Sequence, residues 1–223
     1  MDDHELATVE LLGALAYGQL RSFAATASTI PLAPSTAMAD RLALWAATES
    51  DRYRRLRAQL DERTELADAV MERQRAPFDD FFDRAPLDDW FGGCVFFALG
   101  LPIASDFVKA VAPTLDPQAA AVITEAFERE NIEAEAVEHL SELLTDEAAR
   151  ERARALTADL LGRALTGYQG VMADTDALKV LLDSDRREGE TGEQRVKRLA
   201  LDMLQGHRRR VLELELEDLE DVT

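Results

Sequence analysis

Cysteine is all but absent from this chain of 223 residues, with Cys94 standing alone. That excludes an intrachain disulfide framework and a cysteine-rich zinc module, and it suits a reducing compartment. Histidine is nearly as scarce: His4, His139 and His207 are all there is. None has a second His or a carboxylate at ligand spacing on an apolar face, so each is expected at the surface. Aromatic residues make up only 6% of the chain, and glycine and proline number 11 and 7, which leaves little to punctuate it into short strands and turns. Long apolar runs are missing too. The longest, Cys94 to Ala104, is about half of the roughly 20 residues a membrane-crossing helix needs, and it is expected as buried core with no membrane role. Basic residues are the last deficit: 25 against 44 acidic side chains give a net charge of −19. Such a field repels phosphate backbones and anionic headgroups unless a local basic patch intervenes. The opening residues Met1-Asp2-Asp3-His4-Glu5 lack the basic flank and apolar stretch of a secretion signal, so the cytoplasm is the expected location.

What is present is helix-forming. Apolar residues supply 47% of the chain, enough for one domain with a continuous core, and Ala, Leu, Glu and Arg dominate the stretches between the few breakers. The chain reads as all-α. A first helix is predicted from about His4 to Ala27, with Leu6, Val9, Gly13, Ala16, Leu20 and Phe23 forming a seam. A second runs from a cap at Ser35 or Thr36 to about Leu60, and a short helix or loop follows over Glu65 to Gln74. Ala76 to Pro86 reads as a packed connection across the end of a bundle. A third helix spans about Leu87 to Val111, kinked by Gly100 and Pro102. A fourth covers Gln118 to Leu144 and a fifth Asp146 to Leu182. In domain terms, residues 1–183 form the helical bundle and 184–194 a polar loop. Residues 195–223 form an amphipathic C-terminal helix, docked by Val196, Leu199, Met203 and Val211, with a fraying acidic end.

The informative residues are polar ones on apolar seams, because burying a charge is costly unless it is paired or bound to metal. On helix four Glu130 and Glu133 interrupt the stripe Ala119, Ile123, Ala126, Val137, Leu140. On helix two Glu49 and Arg52 sit between Trp45 and Leu56. Gln19 lies on the seam of helix one, and Arg163 follows Leu156 and Leu160 on helix five. Two residues three apart on a helix point the same way, so facing pairs can grip metal ions. An acid on one helix and Glu-x-x-His on the next, repeated, is the di-iron arrangement of ferritin-like bundles.

The segments Tyr17-Gly18-Gln19-Leu20, Ala47 to Tyr53, Ala85 to Trp90, Ala104 to Phe107 and Gly162-Arg163-Ala164-Leu165 occur in an order that resembles the ferritin-like proteins similar to the tRNA hydroxylase (MiaE-like) family of actinobacteria. The resemblance covers most of the chain. It implies a ferritin-like four-helix bundle with additional C-terminal helices, a di-iron centre that activates oxygen, and a modified adenosine of tRNA as substrate. Against that pattern, Gln19 stands where relatives carry an acid, and Arg52 and Glu133 stand where they carry histidines. Leu101 takes the place of a helix-three acid, with Asp106 more than a turn beyond. A guanidinium does not ligate iron.

Two readings follow. In the first, Gln19, Glu49, Arg52, Glu130, Glu133 and Arg163 form a buried polar network with no cofactor. The protein is then a diverged structural or interaction protein, with a protein partner or a second copy of itself. In the second, Glu49, Glu130 and Glu133 hold iron as a non-standard ligand set and the protein is a metal-dependent monooxygenase or hydroxylase. Binding of tRNA is implied by the resemblance and disfavoured by the charge. The basic clusters Arg52 to Arg57 and His207 to Arg210 have acids nearby to pair with. Cys94 is expected to pack as a small apolar side chain, and no phosphate-cradling glycine loop or nucleophile elbow occurs.

Overall fold

The computed structural model describes residues 1–127, 130–174, 176–184 and 191–217, and all regular structure among them is helical. Helix α1 (Asp3–Thr29) is capped by the Asp2 side chain on the Glu5 amide, and α2 (Thr36–Arg63) by Ser35 on the Met38 amide. These are the oxygen-bearing residues that satisfy free N–H groups at a helix start. The two helices pack along their length as a hairpin. Nearly every residue of α1 from Ala7 to Ala16 is buried, so α1 is the central helix of the bundle and not an amphipathic one lying on its surface.

Short helices α3 (Ala67–Arg73) and α4 (Arg75–Asp83) follow. Most of the expected connection Ala76 to Pro86 is therefore helical. Pro77 sits in the first turn of α4, where its missing N–H has no intrahelical partner to lose. Helix α4 is clamped to α1 by a polar cluster. Tyr17 donates to Asp79 at 2.6 Å, Arg21 pairs with both Asp79 and Asp83, and Arg75 reaches Asp79 at 3.1 Å. Burial alone would raise the Asp79 pKa, but the bonds from Tyr17 and Arg75 and the charge of Arg21 outweigh it and hold the carboxyl below its usual range.

The expected kinked helix is α5 (Trp90–Val95), a π-turn over Phe96–Gly100, and α6 (Pro102–Val111). Pro102 has no N–H to donate, and the chain accommodates it by widening the preceding turn: the Leu101 amide donates to the Phe96 carbonyl, five residues back, at 2.9 Å. The scarce aromatics concentrate here. Phe81, Phe82, Phe96 and Phe97 pack with ring centroids 5.2 to 6.0 Å apart. By length and composition Trp90–Thr114 meets the requirement for a membrane span, a longer stretch than the Cys94 to Ala104 run suggests. Yet 72% of its most apolar window is buried inside the bundle, which makes it a core helix.

Helix four is two helices, α7 (Pro117–Ala126) and α8 (Glu130–Leu143). The break falls at Phe127, whose carbonyl accepts from the Ser105 hydroxyl of α6 at 3.3 Å. Helix five is likewise divided, into α9 (Glu147–Asp174) and α10 (Ala177–Ser184). Most of the polar loop lies outside the described residues. Its end, Thr191, forms a capping box with Gln194 that starts α11 (Gly192–Glu213). The first residues beyond α11 stay packed, and the rest of the expected fraying end, from 218 on, lies outside the described residues. Glu215 adopts a left-handed φ of 54°, and Leu214 and Leu216 on either side of it are buried.

Candidate functional site

Helices α1 and α2 bring Gln19 and Glu49 together in the core, where Gln19 is 0% and Glu49 1% exposed. The Gln19 side-chain amide donates to Glu49 Oε2, and Arg52, one turn along α2, approaches Glu49 Oε1 at 3.5 Å. An amide and a guanidinium thus face the two oxygens of one buried carboxylate. This is the chemistry a desolvated charge requires, since an unpartnered carboxylate here would cost several kcal/mol. Glu133 on α8 is half-buried, and the Glu130 side chain lies outside the described residues.

Arg163 goes elsewhere. Its guanidinium pairs with Asp159 on its own helix and donates to the Phe81 carbonyl at 3.4 Å. It forms part of the wall of a cavity whose described lining includes none of Gln19, Glu49 and Arg52. The expected convergence of Arg163 with those three residues is not what its bonds show, because Arg163 points between α9 and α4.

The donor set decides what the Glu49 site can hold. Among the described residues no three His, Cys, Asp or Glu side chains are grouped closely enough for a metal ion. A di-iron centre is held by about four carboxylates and two imidazoles. Two described neighbours of Glu49 are a neutral amide and a permanent cation, and the cation competes with a metal for the same oxygens. The described side chains do not fit a pair of iron ions.

A cavity of about 160 Å³ opens beside α1, walled by α4, α6, α9, α10 and α11. Its lining is overwhelmingly apolar and runs from Glu10 and Gln74 at one end to Ser22, Phe82 and Arg163 at the other. The Glu10 carboxylate is engaged by Arg73 and by the Gln74 amide at 3.1 Å.

A second buried polar group escaped the sequence reading. His207, expected at the surface, is 4% exposed. It lies on α11 against the π-turn, with Asp106 and Arg210 beside it. Its pKa is pushed down to about 4, first by burial and then by the charge of Arg210, against smaller upward effects from the Leu99 main chain and Asp106. Asp106 and Arg210 pair at 2.7 Å with side chains only 11% and 13% exposed. Gly206 permits this approach, since a Cβ there would lie 2.3 Å from Asp106 Oδ2. Gly206 beside His207 was the available signal, a glycine in mid-helix where alanine is otherwise preferred.

Cys94 is buried and its thiol is pushed up to about 12 by burial, as befits a core side chain. The arginines of the first basic cluster meet acids: Arg54 pairs with Asp51 at 2.9 Å, Arg55 with Glu125, and Arg57 with Asp61 and Asp68 at 2.9 and 2.6 Å. In the second cluster Arg208 meets Glu217 at 2.8 Å. A family model described as the ferritin-like domain of actinomycetes matches residues 2–185. No curated protein matches the chain.

Proposed function

Because the chain belongs to the ferritin-like domain family of actinomycetes, we propose that it is a diverged relative of the tRNA-hydroxylase-like proteins of that fold. It keeps the bundle, fills the inter-helix site with its own side chains in place of a di-iron centre, and works in the cytoplasm as a structural or interaction protein. The observation that carries this reading is the Glu49 carboxylate, with the Gln19 amide on one oxygen and the Arg52 guanidinium facing the other. Oxygen activation requires open coordination positions on a metal, and these oxygens are already committed. Pairing of Arg54, Arg55 and Arg57 with nearby acids supports a protein partner or a second copy of the chain over tRNA.

The test is metal content. Purified protein is offered ferrous iron without oxygen, desalted, assayed for iron and manganese per chain, then exposed to oxygen while its absorbance is followed. No retained metal is the expected result. Roughly two irons per chain with an oxygen-dependent absorbance change would overturn the proposal and make the protein an oxidoreductase with Glu49, Glu130 and Glu133 as an unusual ligand set.

A further inference from the structure

We propose that the cavity beside α1 binds a single-chain aliphatic carboxylate, with its head at Arg163 and its tail running along α1 toward Glu10. The inference goes beyond the reading of the Glu49 site and holds whether or not that site takes a metal. Three features of the cavity select this ligand.

Its length comes first. Glu10 and Ser22, both lining residues, are twelve positions apart on one helix, which places the two ends about 18 Å from one another at 1.5 Å per residue. The shape is thus long for its volume. A space of about 160 Å³ corresponds to roughly ten water-sized molecules, which suits one unbranched chain better than a fused-ring compound. The second feature is the wall. Leu11, Leu15, Phe78, Ile103, Leu178 and Met203 line the cavity along its course and leave a stretch of tail with only apolar contacts. Water in such a space has few partners, so replacing it with methylene groups is favourable.

The third feature is the charge at one end. Arg163 is a lining residue and only 6% exposed. Its guanidinium has five N–H groups; two of its bonds, to the carbonyls of Asp159 and Phe81, are long at 3.4 Å. The counter-ion Asp159 is half-exposed, with 52% of its side chain open to solvent. A ligand carboxylate can therefore take the guanidinium while Asp159 turns to water, so that a half-solvated pair gives way to an enclosed, charge-assisted one. At the opposite end Glu10 is occupied by Arg73 and Gln74 and its negative charge disfavours a carboxylate there. The two ends fix the orientation.

The experiment uses the full chain, delipidated, and titrates it with dodecanoic acid, dodecanol and hexanoic acid by calorimetry, following the melting temperature in parallel. Saturable one-to-one binding of dodecanoic acid with a raised melting temperature is expected, with hexanoic acid weaker. Arg163→Gln should weaken dodecanoic acid about tenfold or more and leave dodecanol unchanged, since only the charge-assisted bonds are lost. Asp159→Asn should strengthen the acid by freeing the guanidinium. Ala164→Phe, which fills the cavity, should abolish binding of both chains; Ala104→Phe serves the same purpose if that variant does not fold. Absence of saturable binding by any of the three compounds would overturn the proposal. Equal effects of Arg163→Gln on acid and alcohol, or weaker binding of the acid in Asp159→Asn, would overturn the placement of the head.

Discussion

Lowering the pH from about 7.5 to about 4.5 should cost this protein about 2.5 kcal/mol through His207 alone. The folded-state pKa is depressed to about 4 against an ordinary value of 6.5, so the unfolded chain binds the proton more readily than the native one. The stabilisation from keeping the imidazole neutral is therefore complete above the unfolded value and is lost as pH falls from 6.5 through 4. At the low-pH limit it amounts to about 3 kcal/mol, at 1.36 kcal/mol per tenfold of proton affinity. That is a large share of the roughly 5–15 kcal/mol that holds a domain of this kind together. The cause is structural: a ring 4% exposed, with Nδ1 lacking a hydrogen-bond partner among the described residues and the Arg210 cation nearby. Urea unfolding at both pH values should be run on the native sequence and on His207→Gln, which keeps a polar side chain that cannot charge. Carboxylates titrate in both proteins and cancel in the difference, so the variant should lose about 2.5 kcal/mol less on acidification. Parallel losses in the two proteins would refute the assignment of a buried neutral imidazole.

Two further outcomes follow from single positions. Gly206→Ala should destabilise by about 2–4 kcal/mol in thermal or urea unfolding, although alanine in an exposed mid-helix site gains about 1 kcal/mol over glycine. The added methyl group meets Asp106 Oδ2 and forces apart a nearly buried ion pair, which outweighs the propensity gain. Cys94 should react with a thiol reagent such as Ellman's reagent only as fast as the protein unfolds, because burial holds the thiol pKa near 12 and withholds the thiolate; rapid labelling of the native protein would contradict its place in the core.

How much of this was legible in the sequence depended on whether the deciding interaction was local. The start of α2 at Ser35 and an irregularity before Pro102 were readable, because a cap and a missing N–H act within one turn of their own residue. The break between α7 and α8 was not. Phe127 and the residues after it include no glycine or proline, and what engages the Phe127 carbonyl is a hydroxyl on a different helix, Ser105. His207 was misplaced for the same kind of reason. Three arginines follow it in sequence and suggest solvent, while its burial comes from α11 lying against the π-turn. At the candidate site, the pairing of Gln19, Glu49 and Arg52 could be anticipated from seam positions on two adjacent helices. Arg163 could not be placed, since helical periodicity gives the face of α9 it occupies but not which neighbour that face meets.

The turn before Pro102 has a further meaning in terms of residue count. A π-turn holds one residue more than the α-helix would need, and one residue is worth about 100° of rotation about the axis. Every side chain of α6 is thus dialled round by that amount relative to α5. Ile103, Val108 and Val111 face the core, and Asp106 faces Arg210, because the wide turn absorbs the extra residue; the same chain wound as an unbroken α-helix would carry them about 100° away. A chain shortened by one residue between Phe96 and Gly100 could wind as plain α-helix with α6 still facing α11, whereas the full-length chain cannot do so without turning the whole of α6 away. The wide turn before Pro102 therefore lets this segment carry one residue more without changing the register of α6 against α11.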